Sequence, residues 1–228
     1  MSRFDEISKN LALVQTRIER AMVIAGRDPV SVEMIAVTKN FPVSDAEILY
    51  ALGLRNFGEN RDDEGALKSE QLPNDIHWHF QGQVQGKKIN SISSWADCIH
   101  SLDSLAHARK FTAIADSRES AFFLQINLEP ERSDRGGIAP AQAHEFLRQL
   151  AAEAGIAPVG LMTVAPIEMD PKVAFAELKS LQDRLQEPFP TLTSLSMGMS
   201  GDFEAAIVAG ATHLRIGSSI LGSRVVPA

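Results

Sequence analysis

Short apolar runs alternate along the chain with longer amphipathic segments. Eight runs are rich in the β-branched and aromatic residues that favour buried strands: EMIAVTK, RNFG, IHWHF, DCIHS, AFFLQINL, PVGLMTV, TSLSMG and THLRIG. Helical periodicity marks DSLAHARKFTAIAD, PAQAHEFLRQLAAEAG, DPKVAFAELKSLQDRLQ and GDFEAAIVAG, and a further helix from about Phe4 to Ala25. Parallel strands that are each followed by a helix predict a (β/α)8 TIM barrel with an extra N-terminal helix.

A doubly wound open sheet is the alternative fold. It is disfavoured because no glycine-rich G-x-G-x-x-G turn follows the first strand. The chain has 228 residues, 44% of them hydrophobic, and contains no Pro/Ser/Gly-rich linker. One domain spanning residues 1–228 is therefore expected.

Polar residues follow several of the predicted strands, which matters because barrel active sites lie at the C-terminal ends of the strands. Lys39 ends the first strand and Asn60 follows the second, while Ser200 follows the seventh. The segment RIGSS, from Arg215 to Ser219, ends the eighth strand. Since the first and last strands are neighbours in a closed barrel, we expect these residues around one pocket.

Lys39 and Ser200 also have purely structural interpretations. Ser44 and Glu47 predict a capping box, and Gly53 a C-terminal cap, for the helix after Lys39. The lysine itself could be a solvated surface charge. Ser200 could be the N-cap of GDFEAAIVAG, which is compatible with binding because a helix N-terminus presents unpaired N–H groups to an anion.

The strand-eight residues are open to two interpretations as well. Gly217 and the serines after it could form only a turn, or they could let backbone N–H groups approach a phosphate closely. Arg215 alternates with Leu214 and Ile216, so its side chain should point away from theirs. Inside a barrel mouth it must be paired, either in a salt bridge or with a ligand.

Charge and cysteine content exclude several classes of function. The formal net charge is −7, so no basic face is available for nucleic-acid binding. No signal-peptide pattern opens the chain and no apolar stretch is long enough for a membrane span, so a cytoplasmic protein is expected. The single cysteine, Cys98, excludes an internal disulfide and is interpreted as a buried structural residue.

Two further segments offer weaker functional patterns. His77 and His79 lie two apart in IHWHF and suggest zinc, but without a third ligand at a recognisable spacing we interpret them as hydrogen-bonded barrel residues and predict no metal site. SDRGGI, after the fifth strand, suggests either an anion-binding turn built on Arg135 and Gly136 or an ordinary loop.

Together the motifs AVTK, FGEN, WHFQG, GLMTVAP and SLSMGMSGDFEAAIVAGATHLRIGSSILGSR resemble those of the pyridoxal phosphate homeostasis protein family, which is related to the N-terminal barrel of alanine racemases. The resemblance runs from about Val32 to Arg224. It implies a barrel that holds pyridoxal 5'-phosphate (PLP) as a Schiff base on Lys39. It further implies that Asn60 and Met162 line the pocket, that Ser200, Gly217 and Ser218 hold the phosphate, and that Arg215 faces the pyridine nitrogen.

The sequence departs from the usual family pattern in three places. Ser218 stands where threonine is expected, which keeps a hydroxyl. QGQVQGKK replaces a segment that usually reads closer to IGPLQSNK, and SDRGGI replaces a lysine-bearing loop. We expect these last two changes to affect only contacts at the rim of the pocket.

The predicted function is intracellular PLP homeostasis, as a carrier or buffer without catalytic residues. A partly shielded lysine near positive charge loses its proton readily, as Schiff-base formation requires, whereas an arginine on the pyridine nitrogen weakens the cofactor as an electron sink. Related racemases take a second base from a tyrosine of another domain; here the single tyrosine, Tyr50, lies in the helix after strand one. A one-base amino-acid racemase and a Schiff-base aldolase are the alternatives. We expect a monomer that passes PLP to PLP-dependent apoenzymes.

Overall fold

Eight parallel strands close into a barrel in the order of the chain in this computed structural model, which describes residues 2–114, 119–132 and 135–222. The predicted (β/α)8 barrel is thereby confirmed, and the open sheet is wrong. The strands are β1 (Glu33–Val37), β2 (Asn56–Glu59), β3 (His77–Phe80), β4 (Cys98–Leu102), β5 (Ala121–Gln125), β6 (Gly160–Met162), β7 (Ser194–Met199) and β8 (His213–Ile216).

Helices surround the barrel and follow the strands. They are α1 (Arg3–Ile24), α2 (Val43–Ala51), α3 (Asp62–Gln71), α4 (Ile89–Trp95), α5 (Leu105–Thr112), α6 (Ala143–Gln149), α7 (Pro171–Gln186), α8 (Phe203–Val208) and α9 (Ser218–Leu221). A π-helical turn, Leu150–Ala154, extends α6. None of the helices described is both long and apolar enough to cross a membrane.

The extra helix α1 packs against α8 and α9, the two helices that follow the last strands. A capping box in which Ser2 and Asp5 exchange hydrogen bonds fixes its start. Asn10 Nδ2 donates to the carbonyl oxygen of Ile220 at 3.0 Å, and Arg3 Nη2 to that of Leu221 at 2.9 Å. The N-terminal helix thus anchors α9, directly after Gly217.

Two capping predictions are wrong. Helix α2 starts after Pro42, which has no side-chain acceptor but holds φ at −68°, so Ser44 lies inside the first turn and the Ser44–Glu47 capping box does not form. Helix α8 starts after Asp202, which excludes Ser200 as its N-cap. The prediction for Gly53 holds, since it has a φ of +93° just beyond the end of α2.

The interior of the barrel contains several buried polar side chains. Alternation along each strand points Phe57, Trp78 and their outward-facing counterparts at the helices, where they join the large apolar core. The inward-facing residues include four buried polar side chains, namely His79, His100, Ser196 and Arg215. Because buried polar groups are costly unless they are hydrogen-bonded, their partners determine how this interior is built.

Candidate functional site

A cavity of about 550 Å³ opens at the C-terminal ends of the strands, within the range of roughly 300–1,000 Å³ typical of ligand sites. It is lined by Val37, Lys39, Phe41, Asn60, Gln81, Met162, Val164, Met199, Ser200, Gly201, Arg215, Gly217, Ser218 and Gly222. All seven residues expected to contact a cofactor are among these. The structure therefore brings them together, while their contacts with a cofactor stay a prediction.

Lys39 is half-buried at the end of β1, and the residue before it is tightly held. Lys68 of α3 donates from Nζ to the Thr38 carbonyl oxygen at 2.8 Å and to Glu59 Oε1 at 2.6 Å. The Thr38 hydroxyl donates to the same Glu59 oxygen at 2.6 Å. Glu59 and Lys68 are 0% and 3% exposed, so a buried ion pair supports the strand end that carries Lys39.

The residue after Lys39 is fixed as well. Asn40 has a φ of +62°, a left-handed conformation that asparagine tolerates better than most residues. Its backbone N–H donates to Glu64 Oε2 at 2.6 Å. We call Glu59, Glu64 and Lys68 the lysine bracket, because they hold both neighbours of Lys39. Burial raises the pKa of Glu59, and the ammonium of Lys68 opposes that rise.

Arg215 lies at the base of the cavity and is 5% exposed. It donates from Nη1 to Ser196 Oγ and from Nη2 to the Thr163 carbonyl oxygen, both at 2.7 Å. No carboxylate in the described chain lies within salt-bridge distance of it, so the salt-bridge interpretation is wrong and Arg215 is paired with neutral acceptors. Burial lowers the pKa of Arg215 to about 10, which leaves it cationic at neutral pH.

The loops after β7 and β8 meet at the rim of the cavity, next to the end of β1. Ser219 donates from its backbone N–H to Ser200 Oγ at 3.2 Å and from its hydroxyl to the Ser200 carbonyl oxygen. A Cβ on Gly217 would lie 3.0 Å from the Val37 carbonyl oxygen, so glycine allows this loop to lie close to β1. A Cβ on Gly201 would meet nothing within 4 Å, so the backbone there is open to a ligand.

Comparison with known proteins identifies the family. A family profile described as alanine racemase, N-terminal domain, matches residues 5–225. A protein of Mycobacterium tuberculosis named pyridoxal phosphate homeostasis protein is 33% identical over 244 residues, covering 97% of this chain and 94% of its own. The chain belongs to the pyridoxal phosphate homeostasis protein family. A family member from Synechocystis is 38% identical over 205 residues, which cover 86% of this chain and 94% of that protein.

A solved structure similar to this chain is that of PipY of Synechococcus elongatus PCC7942 with PLP bound. It has a TM-score of 0.81 and 34% sequence identity, and the alignment covers 95% of this chain and 100% of that one. The comparison therefore spans nearly the whole of both proteins.

The variant segment QGQVQGKK contributes more to the site than expected. Gln81, its first residue, lines the cavity itself, so the expectation of rim contacts alone is wrong for it. Its Nε2 is buried with no hydrogen-bond partner in the structure. Lys88, farther along, lies at the surface with Nζ 3.0 Å from Asp62 Oδ2. Gln81 follows strand three directly, so the strand-end rule that selected Asn60 would also have found it.

The other variant segment falls only partly within the described chain, since residues 133–134 lie outside it. Arg135 and Gly136 border a smaller cavity of about 270 Å³ beside the main one. Arg135 Nε lies 3.3 Å from Glu129 Oε2, so the charge of Arg135 is already balanced. The anion-binding turn stays a prediction.

The two histidines of IHWHF lie in different surroundings. His77 is exposed, whereas His79 is buried and lies with Cys98 and His100, their nitrogen and sulfur atoms within 4.8 Å of one another. Both nitrogens of His79 and both of His100 have hydrogen-bond partners, which a metal ion would have to displace. Cys98 is buried as predicted, and burial raises the pKa of its thiol, which makes it unreactive.

Proposed function

We propose that this protein binds PLP covalently through Lys39 Nζ and acts in PLP homeostasis as a carrier or buffer. The observation that carries the proposal is the convergence of Lys39, Arg215 and the β7 and β8 loops on one cavity, in a chain of this family. When bound, PLP supplies an aldehyde carbon that a deprotonated lysine amine can attack.

The residues present fit such a ligand. The loops that carry Ser200 and Ser218 offer two hydroxyls, and Gly201 and Gly217 offer backbone that a phosphate can approach closely. Arg215 remains cationic and can only donate, so it would hold the pyridine nitrogen as an acceptor. Met162 and Val37 supply apolar walls.

A carrier role is favoured over catalysis by the position of the only tyrosine. Tyr50 donates its hydroxyl to Asp75 Oδ1 at 2.9 Å and lies under the guanidinium of Arg55, 3.8 Å from the ring centroid. It does not line the cavity. A second base of the racemase kind is thus not supplied by tyrosine in this chain. We further propose that the protein is a cytoplasmic monomer that transfers PLP to PLP-dependent apoenzymes.

The test is the absorption spectrum of the purified protein with added PLP, before and after borohydride, followed by peptide mapping. We expect a visible band that borohydride removes and a PLP-modified peptide that contains Lys39. Unmodified Lys39 at full PLP occupancy would contradict the proposal.

A further inference from the structure

A continuous chain of hydrogen bonds runs from Arg215 through the interior of the barrel. Arg215 Nη1 lies 2.7 Å from Ser196 Oγ, which lies 2.8 Å from His100 Nδ1. His100 Nε2 lies 3.0 Å from His79 Nδ1, and His79 Nε2 lies 3.0 Å from Asn56 Oδ1. We call Ser196, His100, His79 and Asn56 the relay. It joins β8 to β7, β4, β3 and β2 across the barrel.

The direction of each hydrogen bond follows from the far end of the relay. Asn56 Oδ1 can only accept, so His79 must carry its proton on Nε2. Burial lowers the pKa of His79 to about 3, which makes the ring neutral, and its Nδ1 therefore accepts. An acceptor at His79 Nδ1 requires a proton on His100 Nε2.

The same reasoning fixes the near end. His100 is fully buried, and burial lowers its pKa well below the usual range, so its ring is also neutral and Nδ1 accepts. The Ser196 hydroxyl must donate its proton to that nitrogen. Its lone pairs then face Arg215, which can only donate. Every bond in the relay points away from Arg215, and each proton has one acceptor.

The rings of the relay are fixed by packing as well as by hydrogen bonds. His100 stacks on Phe123 with ring centroids 4.5 Å apart and planes 14° apart. The guanidinium at the other end is held at two nitrogens, by Ser196 and by the Thr163 carbonyl oxygen. Two acceptors, one on β7 and one directly after β6, determine both the position and the plane of the group, whereas one would let it rotate.

We propose that Ser196, His100 and His79 are positioning residues that orient the Arg215 guanidinium toward the ligand cavity. The proposal rests on the proposed function only for the identity of the ligand, because the relay itself needs no ligand. Ser196 is the decisive member, since it alone contacts both Arg215 and a histidine of the relay.

The first test uses the full-length protein without PLP, labelled with nitrogen-15 at histidine and arginine. We expect neutral His79 and His100 with the proton on Nε2 in both rings, and resolved Nη resonances for a slowly rotating Arg215. The variant Ser196→Ala should collapse those Arg215 resonances. A proton on Nδ1 of either ring, or unchanged Arg215 resonances in Ser196→Ala, would overturn the proposal.

The second test measures PLP binding. Ser196→Ala should bind PLP about ten-fold more weakly, the equivalent of ~1.4 kcal/mol, with a shifted visible band, and it should still be captured on Lys39 by borohydride. Cys98→Ala is the matched control, because Cys98 lies in the same interior but outside the relay. Equal affinity and spectrum in wild type and Ser196→Ala would refute the positioning role. A wild type with the predicted tautomers but no PLP binding would instead refute the proposed function and leave the relay established.

Discussion

Lys68 Nζ donates to the carbonyl oxygen of Thr38 at 2.8 Å, so a buried ammonium from α3 holds the residue directly before Lys39. The same ammonium pairs with Glu59 Oε1, whereas Glu59 Oε2 is buried without a hydrogen-bond partner. The lysine bracket therefore fixes the position of Lys39 through both of its neighbours.

Removing one partner of the ion pair in the lysine bracket should lower the free energy of unfolding. Lys68→Met leaves the Glu59 carboxylate buried without its partner, and we expect a loss of about 3–5 kcal/mol in the free energy of unfolding, measured by urea denaturation. Exposed Lys9→Met is the control and should stay within about 0.5 kcal/mol of wild type. The double variant Lys68→Met/Glu59→Gln should be more stable than Lys68→Met, because neither charge remains. A double variant that is no better would show that the ion pair is not the source of the loss.

Removing the Lys39 amine should separate covalent from non-covalent binding. Lys39→Ala should lose all borohydride-reducible PLP but keep weaker binding, because the loops after β7 and β8 and Arg215 remain and each charge-assisted hydrogen bond contributes roughly 1.5–3 kcal/mol. Titration followed by tryptophan fluorescence measures the residual affinity. Lys87→Ala, at an exposed lysine of the variant segment, should behave as wild type. Reducible PLP at full occupancy in Lys39→Ala would assign the covalent bond to another lysine.

The barrel and its mouth were predictable from the sequence because both depend on local patterns. The strands of a parallel barrel are buried on both faces and read as apolar runs, and the residue after each run lies at one end of the barrel. That rule found Lys39, Asn60 and Ser200. The capping-box pattern, by contrast, failed for the start of α2, where the fixed φ of Pro42 outweighed the capping preference of Ser44.

The relay and the lysine bracket were not predictable for a different reason. His100 and Ser196 are 96 residues apart in sequence, and only closure of the barrel brings them together. Lys68 lies in the polar segment DDEGALKSEQ, whose composition indicates a solvated helix, yet it is 3% exposed. Burial of such a residue depends on a partner, here Glu59 on the neighbouring strand, that no local pattern reveals.

The variant segment packs closely against the site at Gly82 but not at Gly86, so alanine substitutions at these two glycines should differ in their effect on stability and PLP binding. A Cβ on Gly82 would lie 1.9 Å from the carbonyl oxygen of Asn60, whereas one on Gly86 would lie 3.1 Å from the flexible end of Lys110. Gly82→Ala must shift the backbone of Asn60, so we expect a loss of about 1–3 kcal/mol in stability together with weaker PLP binding. Gly86→Ala should change neither. Thermal unfolding and PLP titration measure both effects, and equal behaviour of the two variants would contradict the prediction.

The position of Tyr50 predicts no racemase activity. Its hydroxyl donates a hydrogen bond to Asp75 outside the cavity, so it cannot exchange a proton with an amino acid bound near Lys39. Incubation with L-alanine and PLP should give no more D-alanine than the Lys39→Ala variant gives, as measured by chiral chromatography. Turnover above that control would make the protein an enzyme and revive the one-base alternative.

The neutral histidines of the relay predict a loss of stability in mild acid. Burial lowers the pKa of His79 to about 3 in the folded protein, against an ordinary value of about 6.5 in the unfolded chain. Between these values the unfolded state binds the extra proton, so the free energy of unfolding falls as the pH drops below about 6.5, by up to ~1.4 kcal/mol per pH unit for this group.

His79→Gln should flatten the pH dependence measured by urea denaturation between about pH 4 and 6.5. Exposed His144→Gln is the matched control variant. An equal slope in wild type and His79→Gln would mean that His79 is already protonated in the folded protein, which would also reverse the hydrogen bond assigned between His79 and His100.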